Sequence, residues 1–388
     1  MKNNLSLCCY CLLSLLILTS LHALPLPTKT DSKTSNTPSP SFAQLTVPSK
    51  GAYTGAYVDF GDGEDGVTLE ALEKFEQLVG KHQAIIGFGS FWARQNFPTD
   101  KINLIRSYGA VPLLYWSPWD APFDQNRGPD RFSLDKIIDG TWDDYIDRWA
   151  DGAKAVPEQF FVSFGCEMNG TWFPWSGYFY GKGKLSPAER KKLAANKNLR
   201  GLPWAGPEKY KKAYRHVVDR VRARGATNVL WVFHVNNYSY PNTPWNLAAS
   251  YYPGTNYVDW LGLSVYGKQF ADEDWTSFKP LLEWPYEEMC KLDPNKPIML
   301  AEWGVAESHG KDDKGAWFTE GFSAMVNNNY PRLKATIIWH ERWENDDGTF
   351  SNLRINSSSS ALKAYREGVA NSFWVDKPVF TIRPTGRM

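Results

Sequence analysis

Phe160-Phe161-Val162-Ser163-Phe164-Gly165-Cys166-Glu167-Met168-Asn169-Gly170-Thr171-Trp172-Phe173-Pro174-Trp175 runs from an apolar strand into a carboxylate, an amide and paired indoles. Phe160–Phe164 is short, apolar and aromatic, the pattern of a strand buried on both faces in a parallel sheet. A carboxylate is costly to bury unless it is paired, so Glu167 at the end of that strand needs a reason. A second case stands far along the chain. Pro297-Ile298-Met299-Leu300-Ala301-Glu302-Trp303-Gly304 again places a Glu at the C-terminal end of a buried run, beside Trp and Gly. One such Glu reads as half of a structural ion pair. Two, on two strand ends, reverse that preference.

Working outward, similar runs recur at Ala56–Phe60, Ala84–Phe88, Val111–Tyr115, Val229–Phe233, Val258–Val265 and Ala335–Trp339, which makes eight in all. Stretches of helical period separate them. Trp142, Tyr145, Ile146, Trp149 and Ala150 form one apolar stripe, and Tyr210, Ala213, Tyr214, Val217, Val218 and Val221 form another. Eight strand–helix alternations without an internal linker predict a single α/β domain, a (β/α)₈ TIM barrel; an open doubly wound sheet is the alternative. Catalytic groups of such barrels sit at the C-terminal ends of the strands, where Glu167 and Glu302 fall. The long Lys-rich insertion from Tyr178 to Pro207 follows the fourth strand and belongs on that same face.

The N-terminus reads differently. Lys2 precedes the short apolar run Leu12–Leu18 and then Leu21-His22-Ala23, the order of a signal peptide spanning residues 1–23. The run is too short to span a bilayer, so the mature protein is expected to be secreted, extracellular or periplasmic, with no membrane attachment. Residues 24–50, rich in Ser, Thr and Pro, read as a flexible linker, and 51–388 as the barrel. Of five cysteines, three leave with the signal segment, so Cys166 and Cys290 support neither a disulfide framework nor a four-Cys zinc site. Lys and Arg number 43 against 42 Asp and Glu, a balance with no electrostatic footprint for nucleic acid. The unusual feature is aromatic: 18 Trp, 19 Tyr and 21 Phe, suited to flat sugar rings or to a large core.

Several motifs fail on inspection. Gly61-x-Gly63-x-x-Gly66 follows a strand like a dinucleotide loop, but Asp62, Glu64 and Asp65 would face a pyrophosphate with like charge, so it reads as an acidic turn. His340-Glu341-Arg342-Trp343-Glu344 lacks the second His of a zinc protease motif, and no Gly-x-Ser-x-Gly elbow occurs. No metal or organic cofactor is expected. Two carboxyls converging across a barrel mouth are instead the apparatus of retaining glycoside hydrolysis, in which they stand about 5–5.5 Å apart.

Glu167-Met168-Asn169-Gly170-x-Trp172-x-x-Trp175 and Ala301-Glu302-Trp303-Gly304 resemble the signatures of glycoside hydrolase family 26. The likeness extends over most of the chain after Lys50, including Gly206-Pro207-Glu208-Lys209-Tyr210 leading into Tyr214-Arg215-His216-Val217. The resemblance implies a clan A barrel acting as an endo-β-glycanase on a β-linked polysaccharide or oligosaccharide. β-1,4-Mannan is the first expectation, and mixed-linkage β-1,3-1,4-glucan the alternative. It further implies Glu167 as acid/base, Glu302 as nucleophile, Trp172 beneath the sugar at the cleavage point, Tyr266 bonded to the nucleophile, and Trp339 as a stacking floor. Asn169 is expected to contact sugar through its amide. This sequence departs from the family pattern at three points: Ser163 and Cys166 stand where Arg and His are usual, and Ser264 where Asp is common. A non-catalytic carbohydrate-binding relative is the rival those replacements suggest. Trp92, Trp116 and Trp119, after the second and third strands, are expected to line subsites. His234-Val235-Asn236-Asn237 either meets sugar hydroxyls or satisfies loop backbone.

Overall fold

The computed structural model describes residues 42–61, 63–120, 128–196, 202–307, 313–327, 329–345 and 347–382. The expected signal segment, and most of the expected linker, lie outside them. Eight parallel strands form the centre: β1 (Ala52–Val58), β2 (Ile85–Phe91), β3 (Val111–Ser117), β4 (Phe160–Phe164), β5 (Val229–Asn236), β6 (Trp260–Tyr266), β7 (Ile298–Gly304) and β8 (Leu333–His340). Each pairs with the next, and β8 returns to β1 in register from Tyr53 against Ala335 to Val58 against His340. The sheet is therefore a closed barrel, and the open-sheet alternative falls. Closure leaves these strands without a free edge.

Seven longer helices cover the barrel: α1 (Leu69–Val79), α2 (Thr99–Tyr108), α3 (Asp143–Lys154), α4 (Ala205–Ala223), α5 (Phe278–Leu292), α6 (Lys314–Val326) and α7 (Ser359–Val369). Between β5 and β6 only a single turn, Ala248–Tyr251, occupies the helical position. Local chemistry sets the limits of α1. The Thr68 side chain accepts from the Ala71 N–H at its start, and Gly80, at φ +77°, ends it in the left-handed region that glycine tolerates best. The stripes read from sequence face inward: Tyr145, Ile146, Trp149 and Ala150 on α3 are buried, as is every member of the α4 stripe.

Two boundaries differ from expectation. Ala43–Leu45 forms an antiparallel pair with Phe380–Ile382, and Thr46 bonds to Val379 through both its N–H and its hydroxyl. The ordered domain thus begins before Lys50, because the two chain ends pair with each other and Ala43 also bridges to Glu158. The first barrel strand starts at Ala52 rather than Ala56, since Tyr53, Thr54 and Gly55 are buried among their neighbours despite their mixed polarity. The insertion after β4 contains a short turn of helix at Gly177–Tyr180 and the helix Pro187–Asn196. Among the described residues, no helix is long and apolar enough to cross a membrane.

The abundance of Trp is explained first by packing. Trp116 stacks on Trp149 with centroids 4.0 Å apart, and its Nε1–H donates to the Tyr145 hydroxyl. Trp92 lies 5.3 Å from Trp116 and edge-on to Tyr145. Trp119 sets its edge against Phe173 and Trp175. All three expected subsite indoles are therefore buried core residues, and the expectation that they line the cleft is corrected. Trp149→Ala, which removes one half of the stacked pair at zero exposure, is expected to destabilise by roughly 3–5 kcal/mol. Chemical denaturation against the parent protein measures it.

Candidate active site

Glu167 follows β4 by three residues, in a turn that the rest of the barrel holds tightly. Gly165 and Glu167 both adopt left-handed backbone, φ +54° and +51°. Such a conformation is strained for a non-glycine residue and persists only where surrounding bonds over-determine it. Here they do. The Glu167 N–H donates to the His234 carbonyl (2.8 Å), the Trp175 Nε1–H to the Cys166 carbonyl (2.6 Å), and the Tyr210 hydroxyl lies 3.1 Å from the Phe164 and Gly165 carbonyls. Gly170 lets the Trp172 ring fold down on the loop, since a Cβ there would sit 2.4 Å from the ring.

The Glu167 carboxyl is aimed by side-chain donors. Trp172 Nε1–H donates to Oε2 (2.7 Å), Asn236 Nδ2–H to Oε1 (3.2 Å), and the Ser264 hydroxyl also bears on it. Burial raises the Glu167 pKa, and Ser264, Trp172 and Asn236 each pull it back. Burial is thus the leading cause.

Glu302 sits within β7, where the strand register shifts between Leu300 and Trp303. A bulge of this kind re-aims a side chain. The Tyr115 hydroxyl caps the Ala301 carbonyl at 2.7 Å, and the Tyr266 hydroxyl donates to Glu302 Oε2 at 2.8 Å. Glu302 is only partly covered. Its pKa is raised well above the usual carboxylate range, first by burial and then by the charge of Glu167, with Tyr266 opposing. The two carboxyls are thus electrostatic neighbours.

The other expected residues fall in different places. Trp339 is nearly buried: Tyr57 covers one face at 3.9 Å, and its Nε1–H donates to Glu341. Asn169 is buried, and its amide holds the neighbouring loop rather than facing the cleft. Its Oδ1 accepts from the Asn236 N–H, and its Nδ2–H donates to the Asn236 carbonyl. Asn169 therefore acts on Asn236, which in turn touches Glu167. His234 lies fully buried between two serines, and Asn237 bonds to the Leu281 carbonyl. The Cys166 thiol is pushed up by burial and then by Glu302 and Glu167, so it stays protonated. Cys166, His234 and Glu302 bring a thiol, an imidazole and a carboxylate within 4.8 Å of one another. Both ring nitrogens are already engaged, however, so the trio does not present three free metal donors.

One group at the mouth was not singled out in the sequence. Glu64, in the acidic turn after β1, has φ +50°, with its N–H bonded to Gly61 and its carbonyl accepting from Gly89. Gly89 makes room for it, since a Cβ there would meet the Glu64 Cβ at 2.9 Å. Burial and then Glu341 raise its pKa, and its charge reaches Glu302. The signal was an anion in a turn beside a strand end, read only as turn chemistry. A separate cavity of about 1460 Å³ borders Val111 and Phe160 at the starts of β3 and β4. It lies at the opposite end of the strands from both glutamates.

A closed parallel barrel with two acidic groups meeting at the C-terminal ends of β4 and β7 defines the class. The model of glycosyl hydrolase family 26 matches residues 141–283 of this chain. The chain is 30% identical to Endoglucanase H of Acetivibrio thermocellus over 334 residues, 85% of this chain but 31% of that protein. It is 25% identical to the mannan endo-1,4-β-mannosidase of Bacillus subtilis strain 168, over 78% of this chain and 76% of the other. The chain thus spans less than a third of the first relative. Among solved structures, the catalytic domain of a Bacillus endo-β-1,4-mannanase shares the fold with a TM-score of 0.59 at 18% identity, covering 84% of this chain and 87% of that one.

A pH-dependent stability follows from the raised Glu302 pKa. The folded value lies above the unfolded one, so its contribution is full below about 4.5 and is lost as pH rises through the folded value. Glu302→Gln keeps an oxygen for Tyr266 without the charge. It is expected to melt a few degrees higher than the parent at about pH 7.5, with the difference closing near pH 4. Paired thermal melts across pH test this.

Proposed function

We propose that the protein is an exported endo-acting β-glycanase that cleaves with retention of anomeric configuration by double displacement. The observation that carries the reading is the pair itself: Glu302, held by Tyr266, beside Glu167, held by Trp172 and Asn236. Glu302 attacks the anomeric carbon while protonated Glu167 donates to the leaving oxygen, giving a covalent glycosyl-enzyme. Glu167, now a carboxylate, takes a proton from water as it displaces Glu302. Burial raises both carboxyl pKa values, and the charge of Glu167 adds to the rise at Glu302, so ionisation of one carboxyl disfavours ionisation of the other.

The substrate we propose is a β-linked glucan chain. Support comes from Endoglucanase H, whose likeness runs along 85% of this chain. β-1,4-Mannan, the first expectation from sequence, is the second reading, favoured by the mannan endo-1,4-β-mannosidase relatives. Tyr238 and Tyr240 stand exposed on the loop beyond Asn236, beside the acid/base, and offer rings for further sugars of a long chain. Export rests on the order of charge, apolar run and small residues before Leu24.

Lichenan, glucomannan, galactomannan and xylan, assayed separately for new reducing ends, separate the substrates. Glucan cleavage is expected to exceed mannan cleavage, and binding without new ends on any of them would indicate the non-catalytic rival. Glu167→Ala is expected to lose roughly 10²–10⁴-fold on polysaccharide. It should keep the first step with activated aryl glycosides and respond to azide. Equal loss on both substrates without azide rescue would remove Glu167 from the acid/base role.

A further inference from the structure

Three buried polar side chains beneath Glu167 have no task in the scheme above. Ser163, His234 and Ser264 come from the neighbouring strands β4, β5 and β6 and are 0%, 1% and 0% exposed. Ser163 Oγ lies 3.0 Å from His234 Nδ1, and Ser264 Oγ lies 2.8 Å from His234 Nε2. Gly262, across from His234 on β6, leaves room for the imidazole, since a Cβ there would fall 3.1 Å from the His234 Cβ.

The direction of each bond follows from proton inventory. Burial holds His234 neutral, with its pKa lowered to about 3, so one ring nitrogen donates and the other accepts. Ser264 favours the ionised form of Glu167, and on that ground its single hydroxyl proton is assigned to that carboxyl. Its oxygen must then accept from His234 Nε2–H. Nδ1 becomes the acceptor and takes the Ser163 proton. The result is one ordered chain, Ser163 to His234 to Ser264 to Glu167. The His234 backbone completes the hold, because its carbonyl accepts the Glu167 N–H.

We propose that His234 and Ser264 are positioning residues that aim the acid/base carboxyl through this uncharged hydrogen-bond chain. The inference rests on the proposed role of Glu167. Burying a neutral chain avoids the desolvation penalty of an unpaired buried cation, and each hydroxyl and ring nitrogen in it has a partner. The titratable groups that face Glu167 are Glu302, Cys166, Tyr266 and His234. Cys166 and Tyr266 are pushed up and His234 down. Near pH 7 Cys166 and Tyr266 therefore stay protonated and His234 neutral, which leaves the glutamates to carry the charge in this pit.

The test compares Ser264→Ala, His234→Leu, His234→Gln and the Ser264→Ala/His234→Leu double variant on the preferred polysaccharide. Ser264→Ala and His234→Leu are each expected to lower kcat about tenfold with KM little changed. Loss of the donor to the ionised carboxyl raises the Glu167 pKa, so the alkaline limb of kcat/KM moves up by about one pH unit. The double variant should be no worse than the poorer single one, and His234→Gln, which keeps an N–H toward Ser264, should recover most of the loss. Thermal melts identify any variant that fails to fold, and Ser264→Ala, the smallest change, carries the test alone if His234→Leu does. An unmoved alkaline limb in folded Ser264→Ala, or losses that multiply in the double variant, would overturn the proposal. Failure of the Glu167 assignment is read separately, from azide rescue of Glu167→Ala.

Discussion

Two carboxyl groups share one half-dry mouth, and much of the local structure is arranged around holding them there. Each is raised by burial, and the charge of Glu167 adds to the rise at Glu302. The groups opposing this are a phenol, an indole, an amide and a hydroxyl, all neutral donors. Neutral donors set orientation while leaving the pair able to hold a proton. A cation bonded to either carboxyl would favour ionisation and weaken that capacity.

Position is secured by backbone as much as by side chains. Glu64 and Glu167 both occupy left-handed conformations that ordinarily disfavour glutamate, and Glu302 lies at a register shift. Each departure from regular geometry is tied by named bonds: Gly89 to the Glu64 carbonyl, Glu167 to the His234 carbonyl, Tyr115 to the Ala301 carbonyl. Local strain is thus offset by a closed barrel whose strands cannot slide independently. Asn169 belongs to the same scheme, since it fixes the end of β5 that carries Asn236.

Legibility in the sequence followed burial. Strands covered on both faces leave uninterrupted apolar runs, so Phe160–Phe164 and its counterparts could be read directly, and the stripes of α3 and α4 follow from helical period. The start of β1 was obscured by Thr54 and Gly55, which are buried for reasons of register rather than polarity. The indoles of Trp92, Trp116 and Trp119 could not be sorted in this way. A tryptophan after a strand looks the same whether it faces sugar or another ring, and only the stacking of Trp116 on Trp149 decides. Ala43–Leu45 was equally opaque, since its partner Phe380–Ile382 lies at the far end of the chain.

By itself the sequence determined the barrel, the two strand-end glutamates and the likeness to glycoside hydrolase family 26, because periodicity and short motifs are properties of neighbouring residues. Only the tertiary structure decided which donors address each carboxyl, that Glu64 enters the same mouth, and that His234 is locked between Ser163 and Ser264. Apart from Trp172, five positions from Glu167, those relations join residues tens to hundreds of positions apart. Barrel closure sets them, through strand register and the direction in which each side chain leaves its strand, and neither is encoded in any local pattern.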